Sequence, residues 1–183
     1  MPNYCQNTAV ITATNSDLFK KLEEAIEQEY FMSYFKPTPE ELDSAGAHTW
    51  GGNNAAEQNA LRADLKAKYG YENGNDWRCN EWGTKWDFEL EDYTLSDNTL
   101  TIQFVDTAWT PPIQFYDFLV DLGYKVNAYY YEPGCNFCGK YDDDGDTCYN
   151  IEGDSEWVRA NIPSDIDNAF SISDVMQEYE NNE

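Results

Sequence analysis

The densest chemistry in the sequence is the run Asp142-Asp143-Asp144-Gly145-Asp146. Four carboxylates around one glycine invite a calcium loop, which sets acidic or amide ligands at loop positions 1, 3 and 5, glycine at 6 and glutamate at 12. With Gly145 at position 6, Lys140 falls at position 1 and Ile151 at position 12, so the pattern fails twice. A solvated Asp-Gly hairpin turn is the better reading. Cys135-Asn136-Phe137-Cys138 has the two-residue spacing of a zinc knuckle, and a structural zinc takes four ligands. Cys148, Cys79 and His48 are the candidates to complete it, but no second such pair exists, and buried thiols are the simpler reading. A thioredoxin-like role asks for a Cys-x-x-Cys that opens a helix after a strand, which this one does not. His48, the single histidine, has no Ser or Cys nucleophile motif beside it. There is no Walker loop, no GxGxxG and no HExxH. The motifs therefore give an enzyme no support, and no cofactor is expected.

The other chemistry-bearing group is aromatic: Trp77, Trp82, Trp86 and Trp109 with Tyr93. Aromatic rings on an open sheet stack bases in RNA-recognition modules, where they are exposed beside basic residues. Here Lys85 flanks Trp86, but Asp87 and Glu89 come next. Core packing of the rings is expected instead, and Trp82, Trp86 and Trp109 stand as the candidates for an aromatic sheet face.

Charge narrows the partners. There are 35 acids against 11 bases, a formal net charge of -24. Affinity for nucleic acid comes mainly from Lys and Arg on phosphates, so direct nucleic-acid binding is disfavoured, as is an anionic membrane. High solubility or attraction to a basic protein surface is permitted. From Asp142 onward 13 acids face one base, Arg159, which concentrates the negative charge near the end. No apolar run approaches the ~18 residues of a membrane span. The start Met-Pro-Asn-Tyr-Cys shows no signal-peptide pattern, which predicts an intracellular protein. Five cysteines, an odd number, then read as free thiols.

The fold that must position these residues reads as α+β. Thr8-Ala9-Val10-Ile11-Thr12, within 5–14, is a β-branched strand. Asn15-Ser16-Asp17 starts a helix with Leu18, Phe19, Leu22, Ala25 and Ile26 on one face, running to near Tyr30. Proline stops regular structure at Lys36-Pro37-Thr38-Pro39. Residues 37–82 read as an insertion packed against the main sheet, with loops at 44–47 and 50–54, a helix over about 54–69 and loop again over 70–76. Trp86, Phe88 and Leu90 then alternate with acids, and Leu100, Ile102 and Phe104 alternate with Thr101, Gln103 and Val105. This period of two predicts a pair of half-buried strands joined at Ser96-Asp97-Asn98. Pro111-Pro112 opens a helix carrying Phe115, Phe118, Leu119 and Leu122 and ended by Gly123. A Tyr-rich strand over 124–131 comes after it. This order of elements is that of a ferredoxin-like plait, an antiparallel sheet with two helices on one face. Segments 137–141 and 147–151 add a hairpin, and the tail from Pro163 places Ile166, Phe170, Val175 and Met176 at loose helical spacing. The expected organisation is a domain over 1–152, with its insertion at about 37–82, and an acidic helical extension over 153–183 packed on it.

Four stretches carry a resemblance: Met1-Pro2-Asn3-Tyr4-Cys5-Gln6-Asn7, residues 79–87 (Cys-Asn-Glu-Trp-Gly-Thr-Lys-Trp-Asp), residues 104–112 (Phe-Val-Asp-Thr-Ala-Trp-Thr-Pro-Pro), and Tyr131-Glu132-Pro133-Gly134 with Gly139. Together they resemble the YubB-type ferredoxin-like family of phages and conjugative plasmids. They keep their order and span residues 1 to about 152. Tyr4 stands where tryptophan is expected, and the tail after about 153 lies outside the resemblance. It implies the plait and a mobile-element origin, and carries over no activity and no site.

These readings together predict a non-enzymatic phage or mobile-element accessory protein in the host cytoplasm. It would bind, and inhibit or modulate, a host protein that handles nucleic acid, presenting carboxylates where phosphates sit, as DNA mimics do in anti-defence or host takeover. The expected contacts are Asp142, Asp143, Asp144, Asp146, Asp154 and Glu156. The alternatives are a nucleic-acid or nucleotide binder using the aromatic face, and a small metal module at Cys135, Cys138 and Cys148.

Overall fold

The computed structural model describes residues 3–48 and 55–182. Strand β1 (Tyr4–Thr12) is the β-branched run expected from the sequence. Its odd positions Cys5, Asn7, Ala9 and Ile11 are buried, its even positions from Gln6 to Thr12 are half-buried, and Tyr4 is exposed. Helix α1 (Ser16–Ala25) begins where the Asn15 side chain accepts the N–H groups of Asp17 and Leu18. Leu18, Leu22 and Ala25 form its buried stripe. It stops short of Tyr30, and a separate short helix α2 (Phe31–Phe35) comes next.

Residues 36–82 hold more helix than their pattern shows. Helix α3 (Glu40–His48) covers Ser44 to Ala47, whose small side chains predict loop. Tertiary contacts override that weak propensity: Leu42 and Ala45 are buried, Asp43 pairs with Arg78 at 2.6 Å, and Glu41 pairs with Lys68 at 2.7 Å. The loop expected over 50–54 lies outside the described residues. Helices α4 (Ala55–Tyr69) and α5 (Gly74–Glu81) come after it, α5 beginning inside the stretch expected as loop because Asn73 caps it.

The strand expected at Trp86, Phe88 and Leu90 does not form. The Asp87 carboxylate instead accepts the N–H groups of Met32 and Ser33, at 2.8 and 2.7 Å. The Phe88 carbonyl accepts the Phe31 N–H, and the two rings stack at 5.8 Å. Helix α2 has no cap of its own, so this segment serves as its N-terminal cap and is held off the sheet. Strand β2 (Asp92–Ser96) starts later and turns at Asp97-Asn98 into β3 (Thr99–Ala108).

Helix α6 (Ile113–Asp121) starts after Pro111-Pro112, with the Trp82 carbonyl accepting the Phe115 N–H at 3.1 Å. Gly123, at φ +102°, ends it and hands the chain to β4 (Lys125–Glu132). Strands β5 (Phe137–Asp142) and β6 (Gly145–Asn150) form the added hairpin. Three helices close the described chain: α7 (Ser155–Asn161), α8 (Ser164–Phe170) and α9 (Ile172–Glu180).

All strand pairs are antiparallel, in the order β2-β3-β1-β4-β5-β6. The molecule is α+β with an open six-stranded sheet, an arrangement consistent with a ferredoxin-like plait. One face buries the main core, where Ile11, Leu100, Ile102, Val126 and Ala128 meet Leu22, Phe31, Phe115 and Leu119. The helices do not all lie on that face. Cys138, Tyr129 and Tyr131 point the other way, into a second cluster built from Val158, Ile162, Ile166 and Ile172 of the C-terminal segment.

Strand β3 carries a bulge that the alternation hides. Asn7 pairs with Val105 and Ala9 with Ile102, so β3 spends one residue more than β1 between them, and β2 skips Gln103 in the same place. An extra residue inverts the facing of every later position in the strand. Phe104, expected inside, is therefore 46% exposed, and Val105 turns inward. Side chains answer the carbonyls loosened there: Thr8 Oγ1 donates to the Ile102 carbonyl at 2.9 Å, and Asn7 Nδ2 donates to the Val105 carbonyl at 3.4 Å.

Candidate functional site

The six expected acidic contacts divide by what holds them. Asp142 pairs with Lys140 at 2.8 Å and accepts the Asp144 N–H at 3.0 Å, and both contacts hold its carboxyl below the usual range. Asp146 accepts the Tyr130 hydroxyl at 2.7 Å. Asp154 is the N-cap of α7 and accepts the Trp157 N–H at 2.9 Å. These three carboxylates are engaged in local structure: Asp142 and Asp154, at a turn and a helix start, accept unpaired N–H groups, and Asp146 accepts a hydroxyl across the sheet. Asp143 and Asp144, at the β5–β6 tip, and Glu156, in the first turn of α7, are exposed.

The cysteines are not gathered. Cys138 lies in the second core cluster, and burial pushes its thiol up to about 12. Cys135 is exposed in the preceding turn and accepts a hydrogen bond from Asn3. Cys148 pairs across from Gly139 on the opposite face from Cys138. A protonated, buried thiol is a poor metal ligand, and the sheet separates it from Cys148. Among the described residues no group of three or more His, Cys, Asp or Glu side chains is placed to hold a metal ion. His48 is the last residue of α3, and the place of its side chain lies outside the described residues. A disulfide-exchange reagent that releases a chromophore should react rapidly with two thiols of the folded protein, Cys135 and Cys148. Cys79 should react more slowly, and Cys5 and Cys138 should appear only on unfolding. Reaction of a fourth thiol before unfolding would contradict the placement of Cys5 or Cys138.

An open cleft of about 490 Å³ lies between the sheet and the start of α6. Tyr130, Asp146 and Cys148 line it from the strands, and Gln114 and Cys79 from the helices. Burial and the Asp146 carboxylate hold the Tyr130 hydroxyl protonated far above neutral pH.

The aromatic residues separate into two groups. Trp82 is buried, edge-on to Trp77 at 5.6 Å, with its Nε1 donating to the Lys36 carbonyl at 2.9 Å. It is part of the core and belongs to no sheet face, because it ends α5 and buttresses the start of α6. Trp86 and Trp109, expected in the core, are 43% and 47% exposed. Trp86 falls in the segment drawn off the sheet by α2. Trp109 comes just after β3 at φ +69°, a left-handed position that costs a bulky residue strain and turns its ring outward. The Lys85 Nζ sits 5.0 Å from both ring centroids. Tyr4, Tyr30 and Phe104, none of which the sequence marked as a site residue, line one open cleft with Glu89, Glu91 and Asp106. The only advance signal for them was the high aromatic content, 16% of the chain.

No family model, no curated protein and no solved structure matches the chain. Among the described residues no helix is long and apolar enough to cross a membrane.

Proposed function

We propose that this chain is a non-catalytic binding protein that engages a basic surface on a protein partner which handles nucleic acid. The observation that carries the reading is the disposition of charge. Seven of the 11 bases are held in ion pairs with carboxylates of the same chain: Lys20, Lys36, Lys66, Lys68, Arg78, Lys140 and Arg159. Those pairs engage a minority of the 35 acids. The remaining field is negative and steers association with a positive surface. The finer reading is a ferredoxin-like plait with an insertion at about 37–82 and an acidic extension over 153–183. It includes the mobile-element origin implied by the resemblance, a role in inhibiting or modulating a host protein, and action in the host cytoplasm.

The test is affinity capture from bacterial lysate with elution by a salt gradient. The expected result is one nucleic-acid-handling protein, released as salt rises and competed by duplex DNA, since screening weakens charge-driven association. Recovery of no specific protein, or of nucleic acid itself, would overturn the reading. The exposed Trp86 and Trp109 around Lys85 favour a second reading, stacking of single-stranded bases. Saturable quenching of tryptophan fluorescence by oligothymidylate at low salt would place it first.

A further inference from the structure

Among the described residues, half of the large apolar and aromatic side chains left exposed by the fold gather at one end of the sheet. Tyr4, Tyr30 and Phe104 share an open cleft of about 590 Å³. Tyr30 also lines a neighbouring cleft of about 470 Å³, whose wall includes Trp86. Lys85 then joins Trp86 to Trp109. Contiguous exposed aromatic surface marks an interaction site, and Trp and Tyr dominate the energetics of such sites. Two departures from ordinary backbone build this one. The bulge at Gln103 turns Phe104 out, and the left-handed Trp109 does the same for its ring.

The rim is acidic. Glu89, Glu91 and Asp106 line the Tyr4–Tyr30–Phe104 cleft. Among the described residues no donor is hydrogen-bonded or ion-paired to Asp106, and burial holds its carboxyl above the usual range. This is a carboxylate partly removed from water without a cation beside it. Among the described residues two cations adjoin the rings: Lys85, lying over Trp86 and Trp109, and Arg78, which lines the Trp86 cleft but is paired with Asp43. Such a lining repels phosphates and attracts cations.

We propose that this aromatic end of the sheet is the docking surface for an arginine-bearing segment of the basic protein partner. Guanidinium planes stack on Tyr4, Tyr30, Phe104 and Trp86 while Glu89, Glu91 and Asp106 receive their N–H groups. The inference rests on the reading of the chain as a binder of basic surfaces, and replaces the β5–β6 tip with this patch as the principal contact. Arginine suits it better than lysine. Its planar, weakly hydrated head group stacks on rings and pairs with carboxylates through a fork of donors, whereas an ammonium keeps its water.

The test uses the full chain, tryptophan fluorescence at low salt, and four probes: octa-arginine, octa-lysine, a Gly-Ser octapeptide and oligothymidylate. Octa-arginine should bind saturably and roughly tenfold or more tighter than octa-lysine. Phe104→Thr, Trp86→Ala and Asp106→Asn should each weaken octa-arginine binding about tenfold. Each of the three replaces an exposed side chain, and an unchanged circular dichroism spectrum confirms the fold. The combined variant Asp143→Asn, Asp144→Asn, Glu156→Gln should weaken it less than about threefold. Equal affinity for the two basic peptides would overturn the inference while leaving the proposed function standing, as would indifference to the three patch variants. Saturable binding of oligothymidylate alone, lost in the same three patch variants, would overturn it in favour of nucleic acid. Binding of neither basic peptide would remove both.

Discussion

Replacing Trp82 with alanine should cost the fold about 4 kcal/mol, the range measured for deleting a fully buried large aromatic ring. Trp82 is 2% exposed and sits where α5 meets the start of α6. The substitution removes the edge-on contact with Trp77 and opens a cavity bounded by helices held in place by their own ion pairs, such as Arg78–Asp43. It also strips the Lys36 carbonyl of its indole donor, and an orphaned acceptor adds to the cost. The backbone carbonyl of Trp82 would still accept the Phe115 N–H, so the loss reports packing rather than the cap of α6. Urea unfolding monitored by far-ultraviolet circular dichroism is the measurement, with a drop in thermal midpoint on the order of 10 °C expected alongside. Trp82→Phe, which keeps most of the volume, should lose less than half as much. A loss below about 1 kcal/mol for the alanine variant would mean that the ring is not buried as described.

The second large effect is expected at Gly139. A Cβ there would lie 2.3 Å from the Tyr130 hydroxyl oxygen and 2.4 Å from the Thr147 carbonyl oxygen. The first neighbour is the far end of a side chain, but the second is backbone of the adjoining strand. Gly139 pairs with Tyr130 across β4 and β5, and its missing side chain lets the ring lie flat over β5. The hydroxyl thereby crosses a whole strand to reach Asp146 on β6. Gly139→Val should cost about 3 kcal/mol through overpacking and should release the Tyr130–Asp146 hydrogen bond. Gly139→Ala should cost nearly as much, since the clash is already complete at Cβ. The control is Gly145→Ala, where no atom lies within 4 Å and only the φ of +89° resists the change. That variant should lose about 1 kcal/mol. Equal losses at the two glycines would show that space is not what Gly139 supplies.

The elements that could be read in the sequence are those whose pattern and whose tertiary role agree. Strand β1, helix α1, helix α6 and strand β4 each carry an apolar face of the right period, bounded by a capping asparagine, a proline pair or a glycine. The failures have particular causes. Residues 86–91 alternate as a strand does, yet Asp87 binds the N–H groups of α2 and the segment leaves the sheet. Phe104 keeps the period of β3 in the sequence, but one extra residue in the ladder turns it outward. Helix α3 has almost no apolar stripe, and its buried Leu42 and Ala45 depend on neighbours distant in sequence. The candidate site was legible only as charge. Acids at Asp142, Asp146 and Asp154 looked free because their partners, Lys140, Tyr130 and the Trp157 N–H, are set by the fold and by turn and cap geometry. The aromatic patch was missed because side chains from residues 4, 30, 86, 104 and 109 meet through tertiary structure alone.

The two hydrophobic clusters lie on opposite faces of one sheet, and each is sealed without the other. Helices α7–α9 hold themselves together: Ser155 bonds to Glu180, and Arg159 reaches Asp174 and Gln177. A unit closed in this way can open cooperatively while the main core stays dry. Native-state hydrogen exchange is expected to show the C-terminal helices as a separate foldon, their amides exchanging through sub-global opening while those of β1, β3 and β4 wait for global unfolding. Whatever loosens that foldon uncovers Tyr129, Tyr131 and Cys138 on the sheet beneath, and leaves the aromatic end of the molecule undisturbed.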